Sequence, residues 1–283
     1  VNSTTGRIHT SYNQAGSSTG RVSSNNPNVQ NIPVRTKLGR KVRKAFVAKS
    51  APDWLLLGAD YSQIELRILA HMSKDPFLME SFQKHQDVHS TTASSVYGVS
   101  LTEITPEMRR VAKIINFGVV YGLSAFGISR QTDLSADEGA WFIKTYFSKY
   151  PGIKDYIEST KMQVRDRKYV ETLMGRRRYI HEIDSSNYNV RAAGERMAIN
   201  MPIQGTAADI LKIAMIRIQD IIDQEHLESL MILQVHDELI FEVPSEELGT
   251  MRELIFEIMS SAMKLDVPLE VEMKSGYNWD DMD

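Results

Sequence analysis

The chain has 283 residues, of which 42% are hydrophobic and 24% charged, and its formal net charge is -3. These values predict a soluble globular protein of one large or two modest domains. No apolar run approaches the roughly 18 residues of a membrane span, and the absence of cysteine excludes disulfides and thiolate metal sites.

The small net charge hides an asymmetry along the chain. The first fifty residues carry nine Lys or Arg and no acid, whereas the stretch from Asp237 to Asp283 carries thirteen acids against three bases. A basic segment rich in Ser, Asn, Gln and Gly can follow phosphates and offer hydrogen bonds to base edges. A solvated, flexible lead-in would explain the same composition. The first residue is Val1 rather than Met, which predicts that the chain is a fragment.

The first chemical signal in chain order is a carboxylate at a strand-to-helix junction. Residues 1 to 33 contain many turn formers and predict loops and short strands. The apolar run from Trp54 to Ala59 predicts a buried strand that ends at Asp60. Apolar residues then recur at helical spacing from Ile64 to Met72.

The rest of the chain predicts a helical region followed by alternating helices and strands. The pattern is helical from about Ser73 to Met162. The later predicted elements are a hairpin at Met174-Gly175, helices at Val190 to Asn200 and Thr206 to Asp223 separated at Pro202, strands at Met231 to Val235 and Leu239 to Val243, and an edge strand at Leu269 to Met273. His236, Asp237 and Glu238 join the two apolar strands, which places acids at a hairpin turn.

Carboxylates on rigid strand ends fit a magnesium site. Asp60 closes a buried strand, and Asp237 with Glu238 occupies a tight turn. Mg²⁺ prefers oxygen ligands and is usually held by one or two carboxylates together with substrate phosphates. A lone Asp at a strand end is otherwise an ordinary turn or helix-cap residue, and each acid taken singly favours that interpretation.

A second constellation is a stripe of four residues at a spacing of four: Arg109, Lys113, Phe117 and Tyr121. On a helix this spacing advances about 6 Å along the axis and only about 40° around it. Two cations followed by two aromatics match a nucleoside triphosphate from its phosphates to its base. An amphipathic helix with solvated cations and buried aromatics has the same pattern.

A third set consists of polar side chains that suit the minor groove of DNA. Amide and guanidinium donors can bond the groove acceptors that every base pair presents in similar positions, and so test pairing without reading sequence. The set comprises Arg21, Gln30, Asn31, Arg196, Asn200, Gln204 and His236. Polar residues on exposed helix faces are common, so the residues alone leave this interpretation open.

Together these segments resemble the family A DNA polymerases, the group that includes the bacterial polymerase I enzymes. The stretch from Asp60 to Arg67 matches the family's first palm motif, Arg109 to Gly122 its fingers-helix motif, and Gln234 to Glu238 its second palm motif. The order and separation of the three agree with the family, and further matches extend the resemblance over essentially the whole chain.

The resemblance implies an α+β, right-hand polymerase fold. An antiparallel palm sheet would carry an inserted helical fingers subdomain. The implied divisions are an N-terminal palm part at residues 1–72, fingers at 73–162, and a C-terminal palm part at 163–283. The family's thumb, and the proofreading and 5'-nuclease domains of some members, would lie outside this chain.

The resemblance also implies catalytic and nucleotide-binding roles. Asp60 and Asp237 would hold two Mg²⁺ ions, for which Mn²⁺ could substitute, with help from the Tyr61 carbonyl and with Glu238 as a supporting acid. The implied nucleotide contacts are Arg109 and Lys113 at the triphosphate, Lys113 also protonating pyrophosphate, Phe117 at the sugar, Tyr121 at the base-pair pocket, His89 near the phosphates, Gln63 at the nucleotide, and Glu65 as a steric gate at the ribose 2' position.

The polar minor-groove set would contact primer and template, since Arg21, Arg196, Asn200, Gln204 and His236 resemble family residues near the nascent pair. The implied activity is template-directed DNA synthesis with release of pyrophosphate. Expected partners are primer-template DNA, dNTPs and the missing N-terminal thumb region, with no membrane and a monomeric state. A bacterial source would place the protein in the cytoplasm at the nucleoid, and an organellar or viral source stays open. A binding module without turnover, and ribonucleotide or reverse-transcriptase activity, are the alternatives.

Overall fold

The computed structural model describes residues 1–33, 36–50 and 52–282. Arg35, one of the nine bases of the first fifty residues, and Asp283, the last acid, lie outside the described residues. The strands are β1 Ser11–Asn13, β2 Ser23–Asn25, β3 Trp54–Tyr61, β4 Tyr169–Glu171, β5 Arg177–Tyr179, β6 Leu230–Val235, β7 Glu238–Pro244 and β8 Val271–Gly276. The α-helices are α1 Lys37–Arg43, α2 Ile64–Ser73, α3 Pro76–Gln83, α4 Val88–Tyr97, α5 Pro106–Val120, α6 Ala125–Ser129, α7 Ala136–Lys149, α8 Pro151–Arg167, α9 Tyr188–Gln224 and α10 Leu248–Ser260.

The chain divides into two compact units. Unit 1 comprises Val1–Ile64, Ala207–Lys264 and Leu269–Asp283, and unit 2 comprises Glu65–Thr206 and Leu265–Pro268. These limits are set by contacts within each unit. The implied palm and fingers limits at residues 72 and 162 stay a prediction.

Unit 1 is built on a four-stranded antiparallel sheet in the order β6-β7-β3-β8. β3 pairs with β7 on one side and β8 on the other, and its continuous apolar run is typical of a strand that is buried on both faces. All of its residues are buried except Leu55, which is half-buried, and Asp60, which is exposed. β8 lies at the sheet edge, as the sequence predicts, although it begins two residues later than predicted.

One face of the unit 1 sheet packs on a core around Trp279. This core consists of Ala48, Trp54, Leu56, Val235, Ile240, Trp279 and Met282. The guanidinium of Arg43 lies 4.5 Å from the Trp279 ring centroid, and the ring of Phe46 meets the same indole edge-on at 5.4 Å. The basic segment before β3 is therefore anchored to the end of the chain by packing as well as by backbone pairing.

Unit 2 is mainly helical, with the short β4–β5 hairpin that the sequence predicts. Its helix starts carry ordinary caps. Asp75 accepts hydrogen bonds from the first amides of α3, and Ser135 and Glu138 form a capping box at α7. No helix among the described residues combines the length and hydropathy needed to cross a membrane.

The predicted break at Pro202 is wrong, because α9 runs without interruption from Tyr188 to Gln224 with Pro202 inside it. Proline inside a helix loses one backbone hydrogen bond and costs about 3 kcal/mol. Here Ala198, Met201 and Ile203 next to it are all buried. Burial of those side chains outweighs the local cost, which a single sequence does not reveal.

Candidate active site

The sheet of unit 1 places Asp60 next to the turn that carries Asp237. Asp60 is paired in register with Glu238 of β7 on one side and with Glu272 of β8 on the other. The backbone amide of Tyr61 donates to the carbonyl oxygen of Asp237 at 3.2 Å. These backbone bonds fix both aspartates from rigid elements, as a functional constellation requires.

The turn between β6 and β7 has an unusual backbone conformation. His236 has a φ of +54°, in the left-handed region that costs energy for any residue other than glycine. Gln63, in the turn between β3 and α2, also has a φ of +54°. Non-glycine residues held in this region cluster at functional sites. Both turns flank the carboxylate pair.

The electrostatic environment of Asp60 and Asp237 disfavours two ionised carboxylates. Desolvation, and then the charges of Asp237 and Glu272, raise the pKa of Asp60 to about 6. Desolvation also raises the pKa of Asp237, while Arg21 and His236 act in the opposite direction. The Asp60 side chain reaches solvent, but dense protein around it removes much of its hydration. A bound cation would stabilise both charged forms.

This environment predicts a gain in stability when Asp60 is neutralised. Between the unfolded pKa of 3.8 and the folded value of about 6, the folded state binds more protons, so stability falls as pH rises. Because Asp60 is exposed to screening solvent, we expect a cost of only about 1 kcal/mol at pH 8.

Asp60→Asn with a chelator present should therefore melt about 2–4 °C above the unmodified chain at pH 8. The difference should shrink towards pH 5, where Asp60 itself is largely protonated. Thermal melts at both pH values measure this effect. A melting difference that does not change with pH would contradict the assigned cause.

The donor set fits a magnesium ion completed by substrate oxygens. Among the described residues, no group of three or more His, Cys, Asp or Glu forms a ready metal site. Asp60 and Asp237 provide two carboxylates, which is the number that Mg²⁺ takes from protein where phosphates supply the remainder. The hydroxyl of Tyr61 donates to the carbonyl of Met259 at 2.8 Å. Its side chain is thus used in packing, which leaves the backbone for any role at the metal.

Glu238 lies back over β3. A Cβ atom built on Gly58 would come within 2.8 Å of the Glu238 Oε1 atom. A side chain at position 58 would therefore displace this carboxylate. Because Gly58 has no side chain, the Glu238 carboxylate fits over β3 close to Asp60.

Several residues of the minor-groove set meet in unit 1. Arg21 Nη2 lies 3.6 Å from Asp237 Oδ1, and Gln30 Nε2 donates to the Oε1 atom of Gln234 at 2.9 Å. A pocket there is lined by Gly20, Arg21, Val22, Ala208, Leu211, Lys212, Met215, Gln234, His236 and Asp237. Asn31 is exposed at the end of a short 3-10 turn, and no hydrogen bond joins its side chain to another described residue.

The predicted triphosphate stripe lies on α5, but its members differ in how they are held. Arg109 is held by Asp87, with Arg109 Nε 2.5 Å from Asp87 Oδ2. Lys113 is exposed and forms no ion pair with a described residue. Tyr121 lies outside the helix, because α5 ends at Val120 and a turn follows. The stripe is therefore three residues on a helix and one in the turn after it.

Other predicted nucleotide contacts lie beside the same helix in unit 2. A small pocket brings Glu65, Phe117 and Tyr121 together. The ring of His89 lies 5.6 Å from that of Phe117, centroid to centroid. Burial lowers the pKa of His89 to about 4, with Arg109 and Lys113 acting in the same direction and Asp87 against it. His89 is therefore neutral at neutral pH.

Arg196, Asn200 and Gln204 lie four residues apart on one face of α9, whereas the predicted break at Pro202 would have left Gln204 between two helices. The aliphatic part of Arg196 packs against Gly122, which has a φ of +74° and where a Cβ would come within 2.6 Å of Arg196 Cδ. The Oδ1 atom of Asn200 is enclosed and has no hydrogen-bond partner among the described residues. An enclosed acceptor without a partner is uncommon and is consistent with a ligand contact.

Three further residues act on the candidate residues, Glu272 and Gln234 within unit 1 and Asp87 within unit 2, although the sequence did not single them out. Glu272 faces Asp60 across β3 and β8 and raises its pKa, Gln234 bonds Gln30, and Asp87 holds Arg109. The signal for Glu272 was its place in the predicted edge strand, where Glu270 and Glu272 alternate with apolar residues. Gln234 stood inside a matched motif. No pattern in the sequence links Asp87 to Arg109, 22 positions later.

The fold is that of a polymerase domain. The chain superposes on the POL domain of Pol1 from M. smegmatis, solved in complex with DNA primer-template and dNTP, with a TM-score of 0.94 and 47% identity over 99% of this chain and 49% of that chain. This match confirms the predicted α+β class with an antiparallel sheet and a helical insertion.

The chain belongs to DNA polymerase family A, because the sequence model of that family matches residues 1–281. It is 50% identical over 277 residues to DNA polymerase I of Bacillus caldotenax, covering 98% of this chain and 32% of that protein. It is also 50% identical over 281 residues to DNA polymerase I of Pseudomonas aeruginosa, covering 99% and 31%. The chain thus spans about a third of the length of these relatives.

Proposed function

We propose that this chain performs template-directed DNA synthesis. A primer 3'-hydroxyl attacks the α-phosphate of a dNTP chosen by pairing, a new phosphodiester bond forms, and pyrophosphate leaves. The observation that carries the proposal is the Asp60–Asp237 pair at adjoining strand ends, whose two carboxylates a bound cation would stabilise in their charged forms. Family membership and the similarity to a domain solved with primer-template and dNTP support the substrate class.

Asp60 and Asp237 are the residues we assign to two Mg²⁺ ions, with the Tyr61 carbonyl as a further oxygen. When bound, such ions lower the barrier by activating the attacking hydroxyl and neutralising charge on the leaving group. Within the chain, Arg21 balances part of the Asp237 charge in their absence. Glu238, above Gly58, adds negative potential at the same sheet end.

The cations of α5 are assigned to the triphosphate. Lys113 is exposed and forms no ion pair with a described residue, so it can meet phosphate oxygens directly. We also assign to it the proton that departing pyrophosphate takes up. The Arg109 guanidinium would either leave the Asp87 carboxylate to bind a phosphate or bind both groups at once. Phe117 is assigned to the sugar, Tyr121 to the base-pair pocket, and Gln63 to a polar contact with the nucleotide.

The polar set is assigned to the nascent duplex. Amide and guanidinium donors can bond the minor-groove acceptors common to all base pairs and so test pairing geometry. The residues proposed to contact primer-template DNA are Arg21, Gln30, Asn31, Arg196, Asn200, Gln204 and His236. The unpartnered Oδ1 atom of Asn200 gives this assignment its most specific support.

Primer extension by the purified chain tests the proposal. We expect extension and stoichiometric pyrophosphate release with Mg²⁺, lost on chelation and restored by Mn²⁺. Tight binding of primer-template without extension at any metal concentration would overturn it and favour a binding module.

Glu65 is proposed to exclude ribonucleotides by volume. It shares a small pocket with Phe117 and Tyr121, so its side chain leaves little room beside the sugar. Glu65→Ala should lower the preference for dNTP over rNTP by about 10²-fold, the discrimination that a well-shaped pocket gives. The measurement is kcat/KM for each nucleotide on the same primer-template.

Glu65→Gln is the matched control, because it keeps the side-chain volume and removes only the charge. A steric gate predicts that the preference survives in Glu65→Gln. Equal loss in both variants would assign discrimination to the carboxylate charge, and an unchanged preference in Glu65→Ala would refute the gate.

A further inference from the structure

A buried chain of hydrogen bonds ends on His89. It links the hydroxyl of Tyr150 at the start of α8, Thr92 and His89 on α4, and Asn116 on α5. All four residues are at most 2% exposed. Buried polar side chains persist when their bonds are satisfied, and here the bonds converge on His89, which lies near Arg109 and Lys113, the cations assigned above to the triphosphate.

The distances assign the donors. Thr92 Oγ1 has one hydrogen, and its shortest contact is the Val88 carbonyl at 2.7 Å. Thr92 Oγ1 then accepts from the Tyr150 hydroxyl at 3.0 Å and from Asn116 Nδ2 at 3.0 Å. Asn116 Oδ1 lies farther from Thr92 Oγ1, at 3.2 Å, and receives no hydrogen in this assignment. The second hydrogen of Asn116 Nδ2 points to His89 Nδ1, 3.1 Å away. Hydrogen placement is an assignment from this network.

The hydrogen bond at Nδ1 decides whether the other ring nitrogen of His89, Nε2, carries a proton. A neutral imidazole carries one proton, so a ring whose Nδ1 accepts a bond carries its proton on Nε2. Among the described residues, Nε2 has no hydrogen-bond partner, and it is not one of the fully enclosed polar atoms. This nitrogen is therefore a donor that can meet a ligand.

We propose that Asn116, held by Thr92, is a positioning residue that fixes His89 as the Nε2–H tautomer and so presents an uncharged N–H donor to the triphosphate of an incoming nucleotide. The inference rests on the proposed function and deepens it. The opposite tautomer would present a lone pair to phosphate oxygens, which repels them. A neutral donor adds no further positive charge beside the α5 cations Arg109 and Lys113.

The charged groups around the ring favour the neutral form. Asp87 precedes α4, and Arg109 and Lys113 face the ring from α5. Burial is the largest cause of its lowered pKa, the two cations act with it, and only Asp87 opposes. Phe117, which packs on the ring, carries no charge.

Long-range ¹H–¹⁵N correlation spectra of the imidazole nitrogens at neutral pH test the tautomer directly in the unmodified chain. We expect His89 as the Nε2–H form. In Asn116→Leu, which keeps the volume and removes the donor, the spectrum should move towards a mixture. Tyr150→Phe is the matched control, because Thr92 still accepts from Asn116 and the tautomer should persist.

An Nδ1–H tautomer in the unmodified chain would overturn the proposal without requiring any variant to fold. So would equal changes in Asn116→Leu and Tyr150→Phe, since that result would mean general loosening of the network.

Kinetics separate positioning from a structural effect. Asn116→Leu should raise the KM for dNTP about tenfold, the worth of one hydrogen bond to a charged group, with a smaller change in kcat. In a His89→Gln background the same substitution should have no further effect, because its route is through His89. Additive losses would overturn the proposal. Absence of extension by the unmodified chain would instead refute the proposed function, while the spectra still decide the tautomer.

Discussion

Asp237→Ala should lower primer extension by at least about 10³-fold, equivalent to about 4 kcal/mol in the barrier. Asp237 lies at the β6–β7 turn, its backbone is bonded to Tyr61, and its charge is coupled to Asp60. Removal of one of two carboxylates leaves too few protein oxygens for the proposed cations. Single-turnover extension rates with saturating Mg²⁺ measure the loss.

Duplex affinity should survive in Asp237→Ala and increase slightly, because an acid is removed from a surface proposed to meet phosphates. Glu246→Ala provides the control, since Glu246 is an exposed acid at the far end of β7 and should leave extension unchanged. Full extension by Asp237→Ala would remove this residue from the mechanism. Loss of both extension and folding, shown by the melting profile, would assign it to stability.

Lys113→Ala should reduce kcat/KM for dNTP by about 10²-fold or more, as expected when a positioned donor to developing charge is removed. Of the two cations assigned to the triphosphate, we expect Lys113 to be the more sensitive to removal. Arg109 is already held by Asp87, whereas Lys113 is exposed and forms no ion pair with a described residue. Steady-state kinetics with each dNTP measure the change.

Lys144→Ala, on an exposed face of α7 in the same unit, is the matched control for a general loss of positive charge. Equal effects of Lys113→Ala and Lys144→Ala would reduce the result to long-range electrostatics. A drop that disappears in high salt would lead to the same conclusion.

Local patterns predicted most of the elements around the carboxylates. The run from Trp54 is continuous and short, which favours a buried strand over a helix, and the helical spacing after Ile64 places the junction within a few residues. The His236-Asp237 turn was equally clear, since two apolar strands flank it. These patterns depend only on residues that are close together in the sequence, so a single sequence is enough to detect them.

Predictions that depended on distant contacts were weaker. The sequence predicts a helix break at Pro202 because the loss of a backbone hydrogen bond at proline follows from the residue type, whereas the burial of its neighbours does not. Glu272 lies opposite Asp60 only because β8 pairs with β3, more than two hundred residues earlier in the chain. The Asp87–Arg109 pair likewise depends on how α4 packs beside α5.

The roles of the site residues came from the motif resemblance rather than from spacing. An acid at a strand end or a cation on a helix is usually an ordinary surface group. The structure adds what spacing could not supply: the coupling of Asp60 to Asp237, and the shared pocket of Glu65, Phe117 and Tyr121. Those assignments stay predictions until the variants above are measured.

Template dependence tests the central claim most directly. Four primer-templates that differ only in the first unpaired template base are each offered the four dNTPs singly, and the incorporation rates are compared. We expect the complementary dNTP to be preferred on every template, by at least about 10³-fold, and the preference to follow the template base when it is changed. Incorporation of the same nucleotide on all four templates, or none on any of them with DNA bound, would contradict the account.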